Sequence, residues 1–120
     1  MTQRVKASHG DDTCPACVVA GDYIFLAHHA GGYDRDDAAH QTRAAFESMK
    51  ATLMAAGASL NDMVQIHLYL KDLKDFAAAR DVFYEYFDAG CFPARMTSTS
   101  KFLDERCLCM IDGIAYKSGR

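Results

Sequence analysis

A chain of 120 residues holds one domain with a single buried core. Half of its residues are hydrophobic and 24% are charged, an ordinary balance for a soluble globular protein. The formal net charge of −3 argues against nucleic-acid binding, which needs clustered Lys and Arg, and no run approaches the roughly 18 apolar residues of a membrane span.

Residues 3 to 8, QRVKAS, fit a short edge strand, and the Gly, Asp and Pro of HGDDTCPAC mark a loop from His9 to Cys17. This N-terminal stretch lacks the apolar core of a secretory signal, so a cytoplasmic location is expected. Cys14-Pro-Ala-Cys17 has the spacing of a redox pair or of half a zinc site. A redox pair of that kind opens a helix after a strand, whereas this one precedes the strand-like Val18-Val19-Ala20. No second CxxC completes a zinc set, and Cys107-x-Cys109 or His28-His29 would have to supply the other ligands. The five cysteines, an odd number, are therefore read as free packing residues in a reducing compartment, with no metal.

Tyr23 to His28, YIFLAH, is β-branched and aromatic, a buried strand reached through a Gly21-Asp22 hairpin turn. A regular strand turns His28 and His29 to opposite faces, which denies them a common metal but leaves one to line a cleft at the strand end. Asp36 or Asp37 suits the N-cap of a helix from Ala38 to Ala56. Its Phe46, Met49, Leu53 and Ala56 form one apolar stripe, and Gly57 ends it. A strand from Met63 to Leu70 follows, with Val64, Ile66, Leu68 and Leu70 on one side and Gln65, His67 and Tyr69 on the other. Phe76, Ala79, Phe83 and Phe87 make the buried stripe of a second helix, with Arg80 beside it and Gly90 at its end. Met96 to Phe102 alternates like a half-exposed strand, and Asp104-Glu105-Arg106 reads as its turn. Cys107 to Tyr116 is the last strand, with Leu108, Met110 and Asp112 on one face, and the tail KSGR is expected to fray.

The order ββαβαββ predicts an α+β fold over residues 1–120, a mixed sheet with two helices on one face. Its uncovered face would carry Phe25, Tyr69 and apolar residues of the last strand, so a homo-oligomer of closed cyclic symmetry is expected. The segment FPARMTSTSKFLDERCLCMIDGIAYK offers the clearest chemistry. Arg95, where the second helix hands over to the sheet, carries a fork of donors that matches two carboxylate oxygens and stays charged at physiological pH. The plainer alternative is a surface arginine paired with Glu85, Asp88 or Glu105.

Taken together, GDYIFLAHHAGG, the central run AAFESMKATLMAAGASLNDMVQIHLYLKDLKDFAAARDVFYEYF, FPAR and IDGIAYK resemble the RidA/YjgF family of reactive intermediate (2-imino acid) deaminases over nearly the whole chain. The resemblance implies a chorismate-mutase-like fold and a homotrimer whose ligand clefts lie between subunits. It implies hydrolysis of small carboxylated imines or enamines to 2-keto acids and ammonia. The pyridoxal phosphate that generates such imines belongs to the upstream enzyme, so no cofactor is expected here. By the same resemblance Arg95 binds the substrate carboxylate, Thr97 marks a backbone N–H contact, and Ala27 and His28 stand at a Ser-Gly pair lining the cleft.

The chain also departs from that pattern. Met110 stands where deaminating members carry a glutamate that orients the attacking water, a task beyond a thioether. Asp112 lies on the same strand face, roughly 7 Å further along, and is either a displaced carboxylate or a structural contact. Cys14 replaces a tyrosine, His28 a glycine and Arg80 an asparagine. His28 brings a group suited to acid–base work at neutral pH. Three readings follow: an imine deaminase, a non-catalytic trimer that binds small carboxylates such as keto acids, and an endoribonuclease, which the acidic balance disfavours.

Overall fold

The computed structural model describes residues 2–8 and 11–119, so His9 and Gly10 of the expected loop and Arg120 of the tail lie outside the described residues. The elements are β1 (Thr2–Val5), β2 (Cys17–Ala20), β3 (Tyr23–His29), α1 (Ala38–Ala55), β4 (Met63–Leu70), α2 (Phe76–Tyr86), β5 (Ala94–Thr99) and β6 (Cys109–Tyr116). The expected ββαβαββ order thus gains one strand, because β1, β2 and β3 are separate. The sheet runs β1-β2-β3-β6-β4-β5, with β4 and β5 parallel and the other neighbours antiparallel.

Helix α1 is capped by Asp37, whose carboxylate accepts the His40 N–H at 3.1 Å. Its apolar stripe drives it onto the sheet: Phe46, Met49 and Leu53 are fully buried against Ile24, Leu26, Ile66, Leu68 and Ile111. Phe46 also joins the two helices, its ring 5.0 Å from Phe83 edge-on and 5.0 Å from Tyr86 in a stack. Ala56 closes α1 and Gly57 follows at φ 79°, the left-handed position that favours glycine. No helix among the described residues is long and apolar enough to cross a membrane.

Several local expectations change. Asp104-Glu105-Arg106 does not close a hairpin, because β6 inserts between β3 and β4 while β5 lies on the outer side of β4. Residues 100–108 cross the end of β4 to do this, tied by Ser100 N–H to Leu70 C=O and by Lys71 N–H to Leu108 C=O, both at 2.9 Å. The apolar β6 takes a doubly paired position, and the polar β5 takes the edge, where its free side meets water. β5 opens at Ala94, so Arg95 lies within a strand rather than at a helix–sheet junction. Val64 is displaced by a bulge between Met63 and Gln65, leaving Met63 buried and Val64 47% exposed. α2 stops at Tyr86, and Gly90 (φ 81°) instead closes the turn after it, with Cys91 N–H on Asp88 C=O. Lys117 is tied down by its N–H on Asp22 C=O at 2.8 Å, so the tail is held at least to that residue.

Candidate functional site

A second bulge, in β3, organises the cleft. Leu26 pairs with Gly113 and His29 with Ile111, so Ala27 and His28 together oppose the single Asp112 of β6. His29 turns inward and is 5% exposed, its Nδ1 2.6 Å from Ala27 C=O and its Nε2 2.9 Å from Thr52 Oγ1. A carbonyl can only accept, so Nδ1 carries the proton and Nε2 accepts from the threonine hydroxyl. This is the neutral ring, and burial holds the His29 pKa below its ordinary value. His28 turns the other way, as expected of adjacent strand residues, and sits exposed at the cleft wall.

Beside His28, side chains from three strands meet on the helix-free face. The Tyr69 hydroxyl donates to Asp112 Oδ2 at 2.9 Å, and His28 Nε2 lies 3.5 Å from the same oxygen. The His28 ring meets Tyr69 edge-on at 5.1 Å, and His67 stacks on Tyr69 at 3.9 Å with its Nε2 2.7 Å from Ser98 Oγ. Burial and the bond to Asp112 raise the Tyr69 pKa, keeping its phenol protonated as a donor. Tyr69 was not singled out from the sequence as a site residue. Its alternation with His67 was visible, but its link to Asp112 depends on β4 pairing with β6.

The cleft next to this group has a volume of about 930 Å³. Its walls include Cys14, Ala27, His28 and Met110, which the structure therefore brings together. Cys14 is an exposed free thiol, whereas Cys17, Cys107 and Cys109 are buried. Burial raises the thiol pKa of all three buried residues, Cys109 to about 11. Among the described residues no three His, Cys, Asp or Glu side chains converge on a metal position.

Arg95, Arg80 and Thr97 lie elsewhere. The Arg95 guanidinium spans two aromatic faces of α2, 5.3 Å from the Phe76 ring centre and 5.4 Å from that of Phe83. Arg80 also lies over the Phe76 ring, at 5.7 Å, and bonds Asp81 at 2.8 Å. Thr97 sits two residues along β5, beside Leu68 as Arg95 sits beside Ile66. Arg35, Arg43, Arg80 and Arg106 have carboxylate partners among the described residues, and Arg95 has none. Of the pairing alternatives named for Arg95, Glu85 binds Arg43 through two bonds of 2.8 and 2.9 Å and Asp88 accepts from Asn61, and Glu105 forms no ion pair with Arg95.

Arg95 and Met110 point from opposite faces of the sheet, and the cleft beside Met110 is walled on its other side by Ser48, Ala51, Thr52 and Ala55 of α1. Ile66, neighbour of Arg95, points into the helix-side core, whereas Tyr69, neighbour of Met110, belongs to the helix-free side. A single protomer thus offers a cleft with His28 and Met110 on one side and an unpaired arginine on the other.

The model of the family described as "Endoribonuclease L-PSP" matches residues 14–117. A RutC family protein of Pyrococcus horikoshii is 39% identical over 106 residues, covering 83% of each chain. A Dermatophagoides farinae protein named 2-iminobutanoate/2-iminopropanoate deaminase is 40% identical over 90 residues, 67% of this chain and 66% of that one. The crystal structure of a YjgF/YER057c/UK114 family member from Mycobacterium tuberculosis superposes with a TM-score of 0.88 at 23% identity, covering 97% of this chain and 99% of that one.

Proposed function

This chain belongs to the endoribonuclease L-PSP family, the RidA/YjgF proteins, and from that premise we propose that it hydrolyses small 2-imino or enamine acids to 2-keto acids and ammonia. The observation that carries the reading is the guanidinium of Arg95, free of any carboxylate among the described residues and steadied on two phenyl faces at the open edge of the sheet. Such a group recognises a substrate carboxylate through paired donors. Arg80, and a backbone N–H near Thr97, flank it. The reacting end of the substrate lies in the cleft of a neighbouring protomer, against Ala27, His28, Met110 and Cys14. A cyclic homotrimer places one subunit's Arg95 face against the next subunit's cleft at each interface, giving three equivalent sites. The reaction needs water and acid–base groups but no resident cofactor, and a cytoplasmic setting puts the protein beside the pyridoxal-phosphate enzymes that release such imines.

The test follows keto-acid formation from an imine released by an amino-acid dehydratase, with and without the protein. Wild type is expected to accelerate the step, and Arg95→Ala to lower kcat/KM by about 100-fold or more, a loss in the range of a charge-assisted carboxylate contact and its positioning. Absence of acceleration by wild type overturns the assignment. Met110 on the cleft wall favours a second reading, a carboxylate-binding trimer without turnover. Calorimetric binding of a 2-keto acid that is lost in Arg95→Ala, alongside an inert imine, would select it.

A further inference from the structure

Methionine leaves the cleft without a water-orienting carboxylate at position 110, yet an acid–base group stands on the same wall. The geometry points to Asp112 and Tyr69 as positioning residues that hold His28 as the proton-transfer group of the cleft, an inference that rests on the hydrolase reading above. The bulge in β3 sets His28 against Asp112, and Tyr69 fixes the carboxylate from β4. Tyr69 is itself braced by the stacked His67, which Ser98 of β5 holds. Four neighbouring strands therefore contribute to one arrangement of side chains around His28, as a positioned catalytic group requires.

The groups around His28 are few. Asp112 approaches from β6 and the Tyr69 ring from β4, while His29, its chain neighbour, is buried neutral on the other side of β3. Among the described residues, Lys6, Asp11, Cys14 and Tyr33 are the other titratable side chains of the cleft. In the proposed step the neutral His28 ring carries its proton on Nε2, the nitrogen 3.5 Å from Asp112, and its lone pair on Nδ1. That nitrogen removes a proton from water as the oxygen bonds to the iminium carbon and the π electrons move to nitrogen, giving a carbinolamine and an imidazolium. The imidazolium returns the proton to the amine, making it –NH3+. The C–N bond then breaks with its electron pair leaving on ammonia, while the hydroxyl oxygen forms C=O and gives its proton back to His28. Ammonia takes that proton, so iminium plus water becomes keto acid plus ammonium, and His28 ends neutral. Asp112 steadies the imidazolium at both protonated stages.

The experiment measures kcat and KM of imine hydrolysis for wild type, His28→Ala, Asp112→Asn and Tyr69→Phe, with 2-keto-acid affinity as a check on folding. His28→Ala is expected to lose about 100-fold in kcat with little change in KM, and added imidazole to restore part of it. Asp112→Asn is expected to lower kcat about tenfold and Tyr69→Phe less. Both changes are expected to leave KM nearly unchanged, which separates loss of positioning from loss of binding. A wild-type kcat in Asp112→Asn, or no imidazole rescue in His28→Ala that still binds keto acid, overturns the inference while Arg95-dependent turnover keeps the hydrolase reading. An inert wild type removes both.

Discussion

His29 and Gln41 show what single buried polar side chains contribute to the fold. Because the His29 ring is held neutral in the fold, its contribution to stability is full above 6.5, the ordinary imidazole value, and is lost as pH falls through the lower folded value. Urea midpoints measured from pH 8 to pH 5 are expected to decline below pH 6.5 in wild type, and less in His29→Gln, which has no ring to charge. Gln41 is fully buried and ties three segments, donating to Arg35 C=O at 3.0 Å and Arg106 C=O at 2.9 Å and accepting Leu108 N–H at 2.8 Å. Gln41→Leu leaves these backbone groups without partners, and denaturant titration is expected to show a loss of at least about 2 kcal/mol. Neither role could be read locally. His28 and His29 were expected on opposite faces, but neither which one turns inward nor its bond to Thr52 was legible, and Gln41 sits in a helix where a polar residue ordinarily marks the solvent side.

Among the elements, β6 carries the closest tolerances. A Cβ at Gly113 would collide with the Gln65 carbonyl oxygen and come within 2.7 Å of Met63 Cε, where β4 bulges across from it. Gly113→Ala is expected to cost about 1–3 kcal/mol, as overpacking does, seen as a lower denaturation midpoint. Since Asp112 precedes it, the same change should also slow imine hydrolysis by shifting the carboxylate away from Tyr69. The apolar density of Cys107 to Tyr116 was visible as a strand, but its placement between β3 and β4 was not. Residues 100–108 contain a plausible turn sequence and nothing local that reveals they cross a strand end.

For the whole molecule the feature that matters is that Arg95 and Met110 project from opposite faces of the sheet. Phe25, Met96, Tyr23 and Tyr116 remain exposed, and Phe25 lies beside Ile114 on the face that the helices leave open. The apolar surface on which a homo-oligomer was expected is thus present in the protomer. If sites form between subunits, mixing His28→Ala and Arg95→Ala protomers restores whole sites where two unmodified halves meet. A one-to-one mixture exchanged by mild denaturation is expected to regain about a quarter of wild-type activity in a cyclic assembly. Activity that stays at the level of the separate variants after verified subunit exchange would mean that each site is built within one chain.

Sequence alone determined which residues share a face within each element, because the periods of strand and helix are local: Phe46 with Met49 and Leu53, Met110 with Asp112, His28 opposed to His29. It also determined the α+β class and the family, since strand alternation, helix stripes and the FPAR and IDGIAYK segments survive without knowledge of partners. Tertiary structure decided what those faces meet. Strand pairing is a choice among distant backbones, so only the fold places His28 against Asp112, stations Tyr69 between them and His67, and frees Arg95 from every nearby carboxylate among the described residues. The bulges at Ala27-His28 and at Val64 belong to the same class: each is one extra residue in a ladder, invisible until its partner strand is known.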